Sequence, residues 1–456
     1  MDTEFDAIVI GAGQSGPSLA VRLAHAGHTV ALVERRGLGG TCVNDGCIPT
    51  KTLIASARVA WLAREAARFG VTTGPVVVDM ARVKARKDAV VQQSRDSLRD
   101  WLGGTKGLTV VEGHARFEDA HSIRVGERVL RAKRFFVNVG GRAIVPEALA
   151  EVPCLTNHSM MDLDRVPDHL VVVGGSYVGL EFAQMYRRFG SRVTVIEQGP
   201  RIIAREDDDV STEVRRILEL EGITIHTATA VRGARSIEGG IVISTDGPGV
   251  TGSHVLAAIG RRPNTDDLGL DRAGVSTDAR GFVTVDETLR TNVEHIWAIG
   301  DVNGRGAFTH TSYNDYEIVA ENLLDGASRR VTDRLPIYAL YTDPPLARVG
   351  MNKTQARASG KRVRIGHLPM TRVGRARERG ETHGFIEVLV DDSPGEGGGQ
   401  ILGATILGVE GDEAIHGIAD IMYARAHYSV LSRAVHAHPT VSELIPTTLQ
   451  QLVPLE

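Results

Sequence analysis

The apolar and polar positions of the chain fall into a unit that occurs twice. It opens with the apolar run Ala7-Ile8-Val9-Ile10, followed by the turn Gly11-Ala12-Gly13-Gln14-Ser15-Gly16, a stretch rich in Ala and Leu, and Thr29-Val30-Ala31-Leu32-Val33-Glu34. This order reads as strand, glycine turn, helix, strand. The unit returns as Leu170-Val171-Val172-Val173, Gly174-Gly175-Ser176-Tyr177-Val178-Gly179, a helix, and Arg192-Val193-Thr194-Val195-Ile196-Glu197. Adding 163 to Gly11, Gly16, Gly27, Val30 and Glu34 gives Gly174, Gly179, Gly190, Val193 and Glu197. Between the units, amphipathic spacing predicts helices over 55–69 and 83–102 with solvated charged faces. Strand-like contexts surround residues 113–117 and 135–142. From Leu335 onward strand-like runs alternate with turns. The flexible segment 393–399 between 385–390 and 401–407 predicts a hairpin on a separate α+β domain. The basic run 372–379 reads as an exposed, solvated loop.

Composition narrows the picture. A chain of 456 residues that is 42% hydrophobic has room for about three domains of roughly 150 residues each. A net charge of −4 offers no broad positive field for nucleic acid or an anionic membrane, which leaves small-molecule chemistry as the expectation. The acidic amino terminus, Met1-Asp2-Thr3-Glu4-Phe5-Asp6, has neither a basic region nor a cleavable apolar run, and no later run approaches a membrane span. Three cysteines are too few for a secreted disulfide framework, so a cytoplasmic protein is expected. Cys154 reads as a small hydrophobe.

The glycine turns carry the first chemistry. Gly11 suits the tight turn, Gly13 lets the backbone approach a pyrophosphate, Gly16 lets the helix lie on the strand, and Glu34 can accept hydrogen bonds from a ribose. Gly174, Gly179 and Glu197 repeat these roles, with Ser176 in place of the second glycine. Two dinucleotide sites imply two dinucleotides, and a flavin fed by a nicotinamide is the economical pair.

The second chemistry lies in Gly39-Gly40-Thr41-Cys42-Val43-Asn44-Asp45-Gly46-Cys47-Ile48-Pro49-Thr50-Lys51. Five residues of regular helix advance about 7.5 Å, and a disulfide tolerates Cα separations up to roughly 6.8 Å. Bridging Cys42 and Cys47 therefore needs an irregular turn, which Gly46 permits through dihedrals other residues avoid, before Pro49 restarts regular structure. On spacing alone the two remain open between plain thiols and a redox pair. Zinc lacks a second cysteine pair to complete it, and no metal site is expected.

This stretch resembles the redox-disulfide signature of the class I pyridine-nucleotide disulfide oxidoreductases, the family of dihydrolipoamide dehydrogenase, glutathione reductase and mercuric reductase. The resemblance covers nearly the whole chain. It implies two Rossmann-like α/β domains, one for FAD and one for NADH or NADPH, with a C-terminal α+β dimerisation domain. The expected division is 1–150 and 276–334 for FAD, 151–275 for NAD(P) and 335–456 for dimerisation. It implies a disulfide between Cys42 and Cys47, with Cys47 next to the flavin and Cys42 the interchange thiol. Lys51 and Glu181 match an ion pair that lies against the flavin. Gly40, Thr41, Ala115, Gly140 and Asp301 fall on FAD-binding positions, Asp301 ending the apolar run Ile296-Trp297-Ala298-Ile299-Gly300. Tyr177 falls where relatives place an aromatic gate over the nicotinamide pocket, and Gly260 in Ala257-Ala258-Ile259-Gly260-Arg261-Arg262-Pro263-Asn264 marks the exit from the nicotinamide domain. The family's Ala-Thr-Gly is Asn138-Val139-Gly140 here.

The closing segment, His436-Ala437-His438-Pro439-Thr440-Val441-Ser442-Glu443, resembles the family's acid–base motif and selects His438 with Glu443. A near-neutral imidazole held by a carboxylate suits thiol–disulfide proton transfer. In the family this domain reaches across a two-fold axis, which implies a homodimer with shared active sites. The carboxyl terminus lacks the cysteine pair of mercuric reductases, while Phe308-Thr309-His310-Thr311-Ser312 replaces the Leu-Ala-His of dihydrolipoamide dehydrogenase. The chain is most similar to the mercuric-reductase-like branch that includes reductases of reactive chlorine species such as hypothiocyanous acid. The resemblance implies an NAD(P)H-driven reductase of an oxidised small-molecule substrate, with dihydrolipoamide dehydrogenase as the alternative. Glu197 favours NADH over NADPH, since a carboxylate there binds a ribose 2′-hydroxyl and repels a 2′-phosphate.

Overall fold

The structure, a computed structural model, describes residues 3–395 and 397–456. Its first sheet has seven strands. Leu108–Glu112, Val30–Glu34, Thr3–Ile10, Arg128–Val137 and Ile296–Ala298 run parallel, and Ser122–Val125 and Ala115–Asp119 extend it antiparallel. Ile8 pairs with Ala31 on one side and Phe135 on the other. Both faces of this centre are buried, which is why its strands are continuously apolar. Each large aliphatic side chain placed there contributes about 1.5–3 kcal/mol relative to exposure.

The second unit forms a five-stranded parallel sheet in the order Thr224–His226, Arg192–Ile196, His169–Val173, His254–Ala257, Cys154–Leu155. The chain crosses between the two sheets at Gly141–Ala143 and returns at Arg261–Pro263, and these segments pair antiparallel. The carboxyl-terminal part is a six-stranded antiparallel sheet with Ile337–Leu340 at one edge, backed by the helices Gly411–Tyr423 and Leu444–Leu449. The expected hairpin is present: Phe385–Asp391 pairs with Ile401–Leu407. Glu396, at its tip, lies outside the described residues, as do Met1 and Asp2. Among the described residues no helix is long and apolar enough to cross a membrane.

Three expectations need correction. The helix expected over 55–69 starts at Cys47, runs to Glu65 and ends in a 3₁₀ turn, because Pro49 at its third position lacks only an N–H that no helical carbonyl needs. The second runs Met80–Gly103, begun by the Asp79 carboxylate accepting from the Arg82 N–H at 3.1 Å. The basic run is not a loop: Met370–Arg372 and Gly374–Glu378 are helical turns, because Val373 and Ala376, three residues apart, are buried in the C-terminal core.

Candidate active site

The first glycine turn is built by close approach. Gly11 has φ +105°, and a Cβ there would collide with the Asn138 carbonyl. One on Gly16 would strike the Gly11 carbonyl. Asn138 secures the turn, its Nδ2 donating to the Gly11 carbonyl at 2.9 Å. Glu34 closes it from the other side, accepting from the Ala12 N–H and the Arg36 N–H, each at 2.8 Å. A cavity of about 920 Å³ opens here, lined by Gly11, Gly13, Glu34, Gly40, Thr41, Ala115 and Gly140 among others. A Cβ on Gly40 would lie 2.7 Å from the Gly13 Cα, so two backbones form one wall without side chains. Asp301 sits at the 3₁₀ turn Gly300–Asn303, and burial holds its carboxyl above the usual range. Arg261 Nε faces it at 3.8 Å and has no hydrogen-bond partner. A bare backbone cradle with Arg261 on its wall, the unpartnered Nε of that residue facing the Asp301 carboxylate, fits FAD, whose diphosphate and polyol such groups can bind.

The second turn repeats the first. Gly174 has φ +114° and packs on the Ala258 carbonyl, Gly179 packs on the Gly174 carbonyl, and Glu197 accepts from the Gly175 and Gly199 N–H groups, each at 2.7 Å. Ser176 is extended and exposed, so a serine side chain meets no obstacle there. Gly260 has φ +138° where the chain turns back toward the first domain.

Cys42 lies on the short helix Gly40–Asn44, and Cys47 is the first residue of the helix that follows. Gly46 between them has φ −131° and ψ −118°, a pair outside the α and β regions that other residues occupy, as expected. Space requires glycine there too, since a Cβ would lie 2.8 Å from the Thr41 carbonyl. The left-handed positions are Gly39 and Gly40, at φ +90° and +58°. Both cysteines are thiols and hydrogen-bond each other. That bond from Cys42 leads in lowering the Cys47 thiol to about 6 against the effect of burial; Thr309 Oγ1, 3.0 Å from Cys47 Sγ, and the Lys51 charge add to it. The helix N-terminus favours the same thiolate. Cys42 is pushed up by the bond to Cys47 and then by burial. Cys154 is remote, packed against the second domain's core, and burial raises its thiol to about 11.

Lys51 Nζ donates to Glu181 Oε2 at 2.8 Å, which joins the cysteine helix to the helix Tyr177–Phe189. Tyr177, one turn earlier, donates to Glu206 Oε1 at 2.7 Å; Tyr338 donates to the same oxygen and Arg348 Nε to the other, both at 2.7 Å. His438 Nδ1 donates to Glu443 at 2.9 Å, so Nε2 faces outward on a side chain that is 79% exposed. His438 thus stands with Glu443. Sequence reasoning missed Asn138, Thr309, Glu206, Tyr338 and Tyr341. Only Asn138 and Thr309 left a signal, each lying where the chain departs from the family pattern.

The family model described as pyridine nucleotide-disulphide oxidoreductase matches residues 5–315, and that family's dimerisation domain matches 337–449. The chain is 34% identical to the probable pyridine nucleotide-disulfide oxidoreductase RclA of Escherichia coli (strain K12), over 96% of this chain and 97% of the relative. It is also 34% identical to a mercuric reductase of Streptomyces lividans, over 98% and 96%. The structure of the HOCl-induced flavoprotein disulfide reductase RclA from Escherichia coli superposes with a TM-score of 0.89 at 34% identity, covering 97% of this chain and 98% of that one. The chain accordingly belongs to the pyridine nucleotide-disulphide oxidoreductases, flavoprotein enzymes that work with FAD and NAD(P)H.

Proposed function

We propose that this protein is an NAD(P)H-driven reductase that passes electrons through Cys42 and Cys47 to an oxidised small molecule, with hypothiocyanous acid the favoured acceptor. The observation that carries this is the placement of the cysteines: Cys47 at a helix N-terminus with Thr309 Oγ1 3.0 Å from its sulfur, and Cys42 on a short helix whose Gly40 and Thr41 line the large cavity. In this reading 1–150 and 276–334 hold FAD, 151–275 holds NAD(P)H and 335–456 forms the dimer. Gly11, Gly13, Gly16, Glu34, Gly40, Thr41, Lys51, Ala115, Gly140 and Asp301 bind FAD; Gly174, Tyr177, Gly179, Glu197 and Gly260 bind the nicotinamide dinucleotide. FAD bound there supplies two-electron transfer between NAD(P)H and the sulfur pair.

The chain's own groups do the rest. Cys47 holds the negative charge, so Cys42 stays protonated and needs a base. His438 of a second copy, oriented by Glu443, takes its proton. The Cys42 thiolate attacks the sulfur of hypothiocyanous acid, forming an S–S bond and releasing hydroxide, which takes the proton from His438 and leaves as water. Cys47 then attacks Cys42, closes the disulfide and expels thiocyanate, so two thiols are oxidised and one oxidant is reduced by two electrons. The HOCl induction of the relative supports this acceptor class. A centre that cycles through a dithiol suits the cytoplasm. Dihydrolipoamide dehydrogenase, running the cycle in reverse, is the second reading, favoured by the segment 436–440.

The test is steady-state turnover of the FAD-loaded protein with hypothiocyanous acid, mercuric ion, lipoamide and glutathione disulfide. The highest kcat/KM is expected with hypothiocyanous acid. A higher value with lipoamide selects the second reading, and a preparation that takes up no FAD overturns both.

A further inference from the structure

Ile337–Leu340 is the edge strand of the C-terminal sheet, and an edge exposes backbone groups that something must cover. Here the cover comes from the helices Thr309–Leu324 and Tyr177–Phe189. The Ile337 carbonyl accepts from His310 Nε2 at 2.6 Å, and just past the strand the Tyr341 N–H donates to Glu181 Oε1 at 3.0 Å. The other oxygen of Glu181 holds Lys51, whose ammonium lies 4.6 Å from the centre of the Tyr341 ring. One residue of the dimerisation domain therefore touches both members of the ion pair, the carboxylate through its backbone and the ammonium through its ring. Lys51 stands one helical turn beyond Cys47.

We propose that Tyr341 is a positioning residue for the redox pair: its ring keeps the Lys51 ammonium turned toward Cys47, and its N–H fixes the carboxylate on which that ammonium rests. The inference rests on the reading of Cys47 as the inner redox thiol. A lysine head is a strongly hydrated point charge on a flexible stem, and a single carboxylate leaves it free to swing. An aromatic face on a second side attracts the cation and excludes water. The charged groups around the site are Cys42, Lys51 and Glu181 near Cys47, and Asp412 and Glu413 near Tyr341, at the start of the helix Gly411–Tyr423. These last two carboxylates and solvent compete for the ammonium once the ring is gone, and its field at Cys47 then weakens.

The test uses the FAD-loaded protein carrying Cys42→Ser, so that Cys47 ionises without its thiol partner. Alkylation of Cys47 by iodoacetamide is followed against pH by mass spectrometry. Tyr341 is 38% exposed, and two ring-less variants of different shape, Tyr341→Leu and Tyr341→Met, guard against a folding failure of either. Both are expected to lower the thiolate fraction at a given pH by roughly threefold, while Tyr341→Phe, which keeps the ring, matches the parent. In a Lys51→Met background the ring-less variants are expected to add nothing. Ring-less variants that match the parent while Lys51→Met shifts the profile overturn the role of Tyr341 and leave the reading of the redox pair intact. A profile unmoved by Lys51→Met overturns both.

Discussion

Glu34 and Glu197 show how one side chain can hold a turn and remain available to a ligand. Each uses its two oxygens to accept backbone N–H groups on either side of a glycine turn, Ala12 and Arg36 in one case, Gly175 and Gly199 in the other. Oε1 of Glu34 also accepts from the Gly37 N–H at 3.3 Å, but its Oε2 and both oxygens of Glu197 keep a second lone pair, and Glu34 reaches the wall of the large cavity. The turn amides hold the charge in place, so a dinucleotide phosphate brought to the end of the second unit's strand meets a fixed carboxylate. NADH is therefore expected to exceed NADPH in kcat/KM by about tenfold or more, a difference of about 1.4 kcal/mol. Measuring the two specificity constants on one preparation decides this, and a tenfold preference for NADPH would show that Glu197 does not face the ribose. At the same scale, the low Cys47 thiol arises from four neighbours of four kinds: a thiol, a hydroxyl and an ammonium that lower it and a carboxylate that raises it. Thr309 contributes from 262 residues away in sequence, a contact that no local motif announces.

The two strand–turn–helix units make different demands on one backbone design, and that difference can be measured. A methyl group on Gly16 or Gly179 would drive into the carbonyl of Gly11 or Gly174, so each substitution displaces its own helix N-terminus. Overpacking of this kind costs about 1–3 kcal/mol. Gly16→Ala is expected to purify with little FAD. Gly179→Ala is expected to retain FAD and to raise the KM for NADH, without loss of FAD absorbance. Equal FAD loss in both variants would mean that the second turn serves the fold and not a dinucleotide. These units were legible in the sequence because strand, turn and helix are specified by neighbours, and glycines at fixed spacing report backbone contacts directly. The start of the cysteine helix was not, since glycine and proline flank it and the spacing of Ala, Arg and Leu emerges only later. The basic run 372–379 misled for a related reason: four arginines outweigh Val373 and Ala376 in composition, yet those two decide the conformation by their burial. The ion pair of Lys51 with Glu181 was legible only through the family pattern. The hydrogen bond from Tyr341 to Glu181, spanning 160 residues, depends on how one domain's edge strand packs on another domain's helix, and sequence spacing carries no record of that.

At the scale of the whole molecule, the acid–base pair and the thiols lie on different parts of the chain. His438 hydrogen-bonds Glu443 within its own loop, and the stretch of chain that leads into it carries Val435, 98% exposed, and Val430, 55% exposed. Apolar side chains left exposed in the segment that carries His438 are what a homodimer interface covers, since such interfaces are more apolar than ordinary surface. A two-fold interface presents the same patch twice, so if His438 of one copy reaches Cys42 of the other, two equivalent composite sites form together. Subunit complementation tests this. Chains carrying Cys42→Ser and chains carrying His438→Ala are each expected to be nearly inactive as homodimers. After exchange of subunits, about half of the dimers are heterodimers, and each of these has one site with both Cys42 and His438 intact, restoring up to about a quarter of the full site count. Recovery toward that level is the expected outcome, measured as NADH oxidation with the best acceptor from the panel. If heterodimers are demonstrated by mass spectrometry and activity does not return, His438 acts on the cysteines of its own chain or is not the base, and the shared site is wrong.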